Sequence, residues 1–290
     1  VQAVSAEVGK AVLKVDGFLE LSGALAIKAG GQIFGAKADA GLLKAIPGVS
    51  VTGLTHDLYT IEIGGTHLKG FAGATVAGPD GGDPKKVGVA IDDVSFGLAI
   101  MPAMSISGIT IPGVSAILPI YIAAKAEVGK AAIVGAEDII TATANDVSIE
   151  INTSYTPAIS AAFASVGVPG LYEASIAVLP MPALDLQGAA FADGGAGLEI
   201  VTGDRANPVV LDFRKEVIAA EVGYFDGDLA GSVQVAGSLA FAKRGGEKVT
   251  LTSGREISVT SLGISMSDVR AFLGTGRYWG RNPITGRIDG

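Results

Sequence analysis

Apolar and polar residues alternate one by one along most of this chain. Leu58–Ile63 reads LYTIEI, Val147–Ile151 reads VSIEI, Ser232–Val235 reads SVQV, Lys248–Leu251 reads KVTL and Glu256–Val259 reads EISV. A period of two sends successive side chains to opposite faces of a strand, so the pattern predicts half-buried β-strands. The expected elements are strands of five to ten residues, punctuated by Gly-Gly, Gly-Pro-Asp and Ser-Gly. Arg244-Gly245-Gly246-Glu247 and Ser253-Gly254-Arg255 read as hairpin turns of one meander, and Pro79–Pro84 and Arg205–Pro208 read as loops. Helical signal is confined to a turn or two at Leu42–Ile46, closed by Pro47-Gly48, and at Ser267–Leu273. Val94–Ala124 carries no Lys, Arg or Glu, but Pro102, Pro112 and Pro119 argue against a membrane helix. Ser105-Ile106-Ser107 and Ile109-Thr110-Ile111 read there as short buried strands.

A longer period lies over the short one. AEVG occurs at Ala6–Gly9, Ala126–Gly129 and Ala220–Gly223. From Ala6 to Ala220 is 214 residues, and at that spacing Gly17, Gly23, Leu25 and Ala26 recur as Gly231, Gly237, Leu239 and Ala240. SVTGL at Ser50–Leu54 recurs as SVTSL at Ser258–Leu262, and Phe71 and Gly73 recur as Phe272 and Gly274. The match is longer between Ala6–Ala11 and Ala126–Ala131, which both read AEVGKA, and MPAMSISG at Met101–Gly108 returns as MPALDLQG at Met181–Gly188. An internal repeat is therefore expected. Residues 1–85 form the end of one unit, and residues 86–290 form one nearly complete unit with related halves, about 86–180 and 181–290. The chain reads as an excerpt of a longer array, or a subunit whose ends complete its neighbours.

Two stretches resemble a known kind of protein. Gly237–Lys243 with Ala271–Gly274, and AKAEVGKAAIVGAEDIITATANDVSIEINT at Ala124–Thr153, are similar to units of very long, repetitive bacterial surface or secreted proteins. These are adhesin-like chains, often associated with RTX-type calcium repeats. The resemblance implies an extracellular structural or adhesive role, with no catalytic residues to carry over. The acidic loop that follows such units is replaced here by Arg281-Asn282-Pro283-Ile284-Thr285-Gly286, a departure that weakens the expectation of calcium at that position.

Composition narrows the field. Hydrophobic residues make up 49% of the 290 and charged residues 17%, which is ample for a core and unlike a disordered chain. Aromatics are only 6% while glycine numbers 42, a mixture suited to closely stacked sheets. The net charge of −8, with dispersed basic residues, excludes a nucleic-acid footprint. There is no cysteine, hence no disulfide and no thiolate metal site.

Candidate chemistry is sparse. His56 and His67 are the only histidines, and neither has a ligand-spaced partner. Asp80-Gly81-Gly82-Asp83 is the most calcium-like loop, short of any established calcium series, and Asp92-Asp93 and Glu137-Asp138 are further acidic pairs. Gly194–Gly197 reads as a turn, not a phosphate cradle. Asn152-Thr153-Ser154 fits a glycan acceptor pattern. Tyr278-Trp279 reads as a plug over the end of the sheet, with ligand stacking as the other reading.

The sequence thus predicts an all-β, elongated antiparallel repeat, sandwich-like or a β-solenoid. Its expected function is a structural segment of an extracellular or cell-surface fibre, assembling head-to-tail through β-edges. An adhesin module binding a glycan or protein partner is the alternative. A polysaccharide-cleaving enzyme would need convergent Asp, Arg or Lys side chains in one groove. No catalytic, cofactor-binding or metal-binding residue is assigned, and no cofactor, nucleic-acid partner or membrane span is expected.

Overall fold

A computed structural model describes residues 3–15, 18–40, 50–76, 84–110, 118–155, 182–191, 196–254, 256–276, 278–282, 284 and 287–289. The fold is all-β, and no helix occurs among the described residues. Nine long strands form one antiparallel sheet: β1 (Val4–Val15), β2 (Leu19–Asp39), β3 (Ser50–Val76), β4 (Lys85–Thr110), β5 (Ile120–Val134), β6 (Ile140–Tyr155), β10 (Val217–Leu229), β11 (Val233–Thr250) and β12 (Glu256–Leu273), side by side in that order. The predicted elongated antiparallel sheet is what the chain builds. Between β6 and β10 lie β7 (Ala183–Leu184), which pairs with the far end of β2, and the ribbon β8 (Leu198–Ile200) and β9 (Val209–Leu211). The hairpin β13 (Gly280–Arg281) and β14 (Ile288–Asp289) follows β12.

The strands are far longer than five to ten residues: β3 runs to 27 and β4 to 26. Glycine pairs expected to punctuate strands lie inside them. Gly64-Gly65 sits within β3, and Arg244–Glu247 stays in β11 as a bulge instead of a hairpin turn. Five of the eight ladders carry bulges, which sharpen twist without ending pairing. Ser267–Leu273 is likewise strand, not a helical turn, because its residues continue to pair with Val233–Ser238. Leu42–Ile46, Asp80–Asp83 and Gly194-Gly195 lie outside the described residues.

The sheet's two faces differ in chemistry. One row across all nine strands, read rung by rung, is Val8, Leu25, Gly65, Phe96, Ala126, Ile149, Ala220, Phe241 and Ile264. The adjacent row, pointing the other way, is Glu7, Ala26, Gly64, Gly97, Lys125, Glu150, Ala219, Ala242 and Gly263. Period-2 alternation is thus propagated in register through every strand, making one apolar face and one polar face.

The core lies on the polar side, beneath the segment 182–216. Leu184, Leu186, Leu198, Ile200, Leu211 and Phe213 from that cover meet Ala36, Leu58, Ala99, Met101, Tyr121 and Ala123 of the sheet. Small residues let the cover approach: a Cβ on Gly97 would lie 2.9 Å from a Val209 methyl. On the same side, the closing hairpin rests over β6, β10 and β11, with Ile288 N–H donating to the Tyr224 hydroxyl at 2.7 Å.

The first and last three strands share a register. Val8 faces Leu25 and then Ala11 faces Gly23; Val222 faces Leu239 and then Phe225 faces Gly237, each residue 214 further on. In the next ladder, Ser22 faces Lys69 and Ala24 faces Thr66, while Ala236 faces Arg270 and Ser238 faces Ser267. Both pairs of ladders therefore carry a bulge at the same rung. The residue inside the second bulge is His67 in β3, with φ 52°, and Asp268 in β12, with φ 50°. The SVT match does not share this geometry, because Leu262 occupies the rung of Ile61 rather than that of Leu54.

Candidate functional site: open edges and the polar groove

β1 and β12 are the outermost strands, and each has a neighbour on one side only. Among the described residues nothing pairs with their outer backbone groups. Such an edge is a template for another strand unless blocked by proline or a short length. Neither strand contains proline, and they run to 12 and 18 residues. Nearly every residue of β1 is exposed, as is Ser261–Ala271 apart from Ser261. Their neighbours β2 and β11 are interior, so the edges belong to β1 and β12 alone.

The polar face carries a groove of about 460 Å³ lined by Thr66, His67, Asp93, Ser95, Lys125 and Glu127 from the sheet and by Asn207–Val210 and Asp212 from the cover. His67 Nδ1 lies 3.7 Å from Asp93 and its Nε2 lies 3.9 Å from Asp204. Asp204 is held below the usual carboxylate range by the Asn207 side chain, and further by the Ala206 N–H. These contacts close the 204–207 turn, the loop expected from sequence. Thr66 and Ser95 hydroxyls bond each other at 2.9 Å. Asp92 pairs with Lys69 at 2.9 Å, and Glu137 accepts from the Gly135 N–H and pairs with Lys85. Asp92, Asp93 and Glu137 thus each have a local structural role. Among the described residues no group of three or more His, Asp or Glu side chains is arranged to hold a metal.

His56 is the one buried histidine. Its Nδ1 lies 3.2 Å from the Ser105 carbonyl oxygen, which only accepts, so Nδ1 carries the proton. Nε2 then accepts from the Tyr121 hydroxyl at 2.7 Å. Both ring nitrogens are satisfied in the neutral form, and burial pushes the His56 pKa down to about 4. Burial also raises the Tyr121 hydroxyl. This pair cross-links β3 to β5 across β4 and offers no nucleophile. The unfolded chain binds a proton at His56 near pH 6.5 and the folded chain only near pH 4. Stability contributed by His56 is therefore full above about pH 7 and falls as pH drops through this window, by on the order of 2–3 kcal/mol. Urea unfolding at pH 7 and pH 4.5 should show that fall, and His56→Gln should flatten it. An equal slope in the variant would assign the effect elsewhere.

Asn152 is fully buried, and its side-chain amide donates to the Leu184 and Lys215 carbonyls, both at 2.9 Å. It anchors the cover and presents no acceptor for a glycan. Tyr278-Trp279 lies beside the ends of β11 and β12, with Tyr278 exposed and Trp279 half-buried. The buried Gln234 accepts from both backbone N–H groups at 3.0 Å and donates to the Trp279 carbonyl. Phe272 stacks on Tyr278 and meets Trp279 edge-on. At the equivalent rungs of the first three strands stand Glu20, for Gln234, and Phe71, for Phe272. There Lys86 binds Glu20 at 2.7 Å and lies over the Phe71 ring. The strands before β4 are thus closed by a lysine, and those at the end of the sheet by the aromatic pair.

Residues 94–110 belong to β4 and 120–124 to β5, and among the described residues no helix is long and apolar enough to cross a membrane. Comparison with known protein families, curated proteins and solved structures found no match.

Proposed function

We propose that this chain is a structural segment of an extracellular or cell-surface fibre, extended head-to-tail through its β-edges. The observation that carries the reading is the shared register of β1–β3 and β10–β12, with β1 and β12 both open. Within the chain, β3 accepts β4 on the side that β12 leaves free, and β10 accepts β6 on the side that β1 leaves free. The natural occupant of the β12 edge is therefore a strand of the β4 kind, and that of the β1 edge a strand of the β6 kind.

Strand direction supports a neighbouring repeat as the source. Nine antiparallel strands leave β1 and β12 running the same way, so joining one chain's β12 to another's β1 would make a parallel junction. A unit made of β4–β6 and β10–β12 has an even number of strands. Added in phase, it continues the sheet antiparallel and keeps the apolar face on one side. Each unit would lengthen the sheet by six strand spacings, about 29 Å. A chain carrying three successive copies of residues 85–290 should appear in electron micrographs as one rod that grows by that increment. A string of separate globules would refute the reading.

A further inference from the structure

Among the described residues, no segment covers the apolar face. The segment 182–216 and the closing hairpin both lie on the polar side. Val8, Ile27, Ile149, Phe241, Ile264 and Met266, spread from one edge to the other, are each 36–68% exposed. One rung on from the Val8–Ile264 row, the residues are Ala6, Ile27, Ile63, Leu98, Ala124, Ile151, Ile218, Lys243 and Leu262. Lys243 is the one charge in these two rows, and it is buried against Glu216. Contiguous apolar surface of this extent marks an interaction site in a folded protein.

We infer that a second copy of this chain docks on that face, apolar sheet against apolar sheet. Area is the first argument. Nine strands about 4.8 Å apart, each contributing about twelve residues at 3.3 Å, give roughly 1,500 Å² per copy, so a pair covers well over the 1,200–2,000 Å² of a stable interface. Shape is the second. The rows mix Gly and Ala with β-branched residues, which suits two sheets stacking about 10 Å apart. Charge is the third. The polar faces turn outward, so the net charge of −8 on each copy is not brought into the interface. A lipid surface fits less well, since the open edges β1 and β12 would leave backbone groups unpaired in hydrocarbon. This contact uses a face, not an edge, so it stands or falls separately from the proposed head-to-tail extension.

Sedimentation equilibrium of the intact chain tests it. A dimer is expected at micromolar concentration. Ile264→Lys with Met266→Lys should weaken it by at least 100-fold while far-UV circular dichroism stays β-type, because both side chains are already exposed. Ser265→Lys, on the same strand but the opposite face, should leave the dimer intact. An intact chain that stays monomeric at 100 μM overturns the inference, as does a dimer that survives the double substitution. Equal loss with Ser265→Lys would assign association to the β12 edge and also overturn it. So would a monomer that co-floats with phosphatidylcholine vesicles.

Discussion

Lys243→Met is expected to lower stability by about 3–5 kcal/mol, because it strands a buried carboxylate. Lys243 Nζ lies 2.7 Å from Glu216 Oε1, with the two side chains only 9% and 1% exposed. Glu216 Oε2 has no hydrogen-bond partner among the described residues. The lysine is therefore the main compensation for that charge, and its loss leaves a buried anion without its partner. Removing both charges is a different perturbation. Glu216→Leu with Lys243→Met deletes two desolvation costs together with the attraction, and should recover most of the loss. Urea unfolding of the two single variants and the double gives the coupling directly. A double variant as unstable as the lysine variant would mean that shape, not charge, sets the cost.

Gly64→Val is expected to cost about 3 kcal/mol or more, by forcing the cover off the sheet. A Cβ at this position would collide with the Val201 carbonyl oxygen, and it would lie 3.0 Å from an Ile200 methyl. Backbone cannot swing aside as a side-chain tip can, so the 182–216 segment must shift as a body. Gly263 lies in the same polar row at the far edge, where a Cβ would meet nothing closer than the Ala242 carbonyl at 3.9 Å. Gly263→Ala should therefore be neutral or slightly stabilising, since glycine is a weak strand residue. Thermal unfolding separates the two. Equal tolerance at both positions would show that the cover is not packed against β3.

Fold class was legible because alternation is a direct print of the pleat, and this chain keeps it through nine strands. Strand length was not. Gly64-Gly65 and Arg244–Glu247 look like punctuation in sequence, yet the glycines pair in regular register on both sides and a bulge carries pairing past Arg244–Glu247; both outcomes depend on the partner strands. The register of β1–β3 and β10–β12 was legible at the spacing of 214 and at Phe71/Phe272, since those residues sit on equivalent rungs. The SVT match was not informative, because three common β-residues recur without sharing a rung. The contacts of Tyr278-Trp279 with Phe272 and Gln234 were not visible, since they depend on where β11 and β12 end. The role of Asn152 was hidden, since only the folded cover shows that its amide is already bonded. The cover itself left the weakest signal: its strands are two or three residues long, too short for any period to show.

Extension through the edges is tested most directly by amide hydrogen exchange on β12. In the chain as it stands, alternate amides of Glu256–Leu273 point away from β11 toward an edge with no partner among the described residues and should exchange rapidly. In a chain that carries residues 85–290 a second time after Gly290, a β4-type strand is available in phase. The same amides should then slow by at least 100-fold, while those of β11 change little. If the outer amides of β12 exchange as fast in the longer chain as in the shorter one, the units fold as separate sheets and the fibre account is wrong.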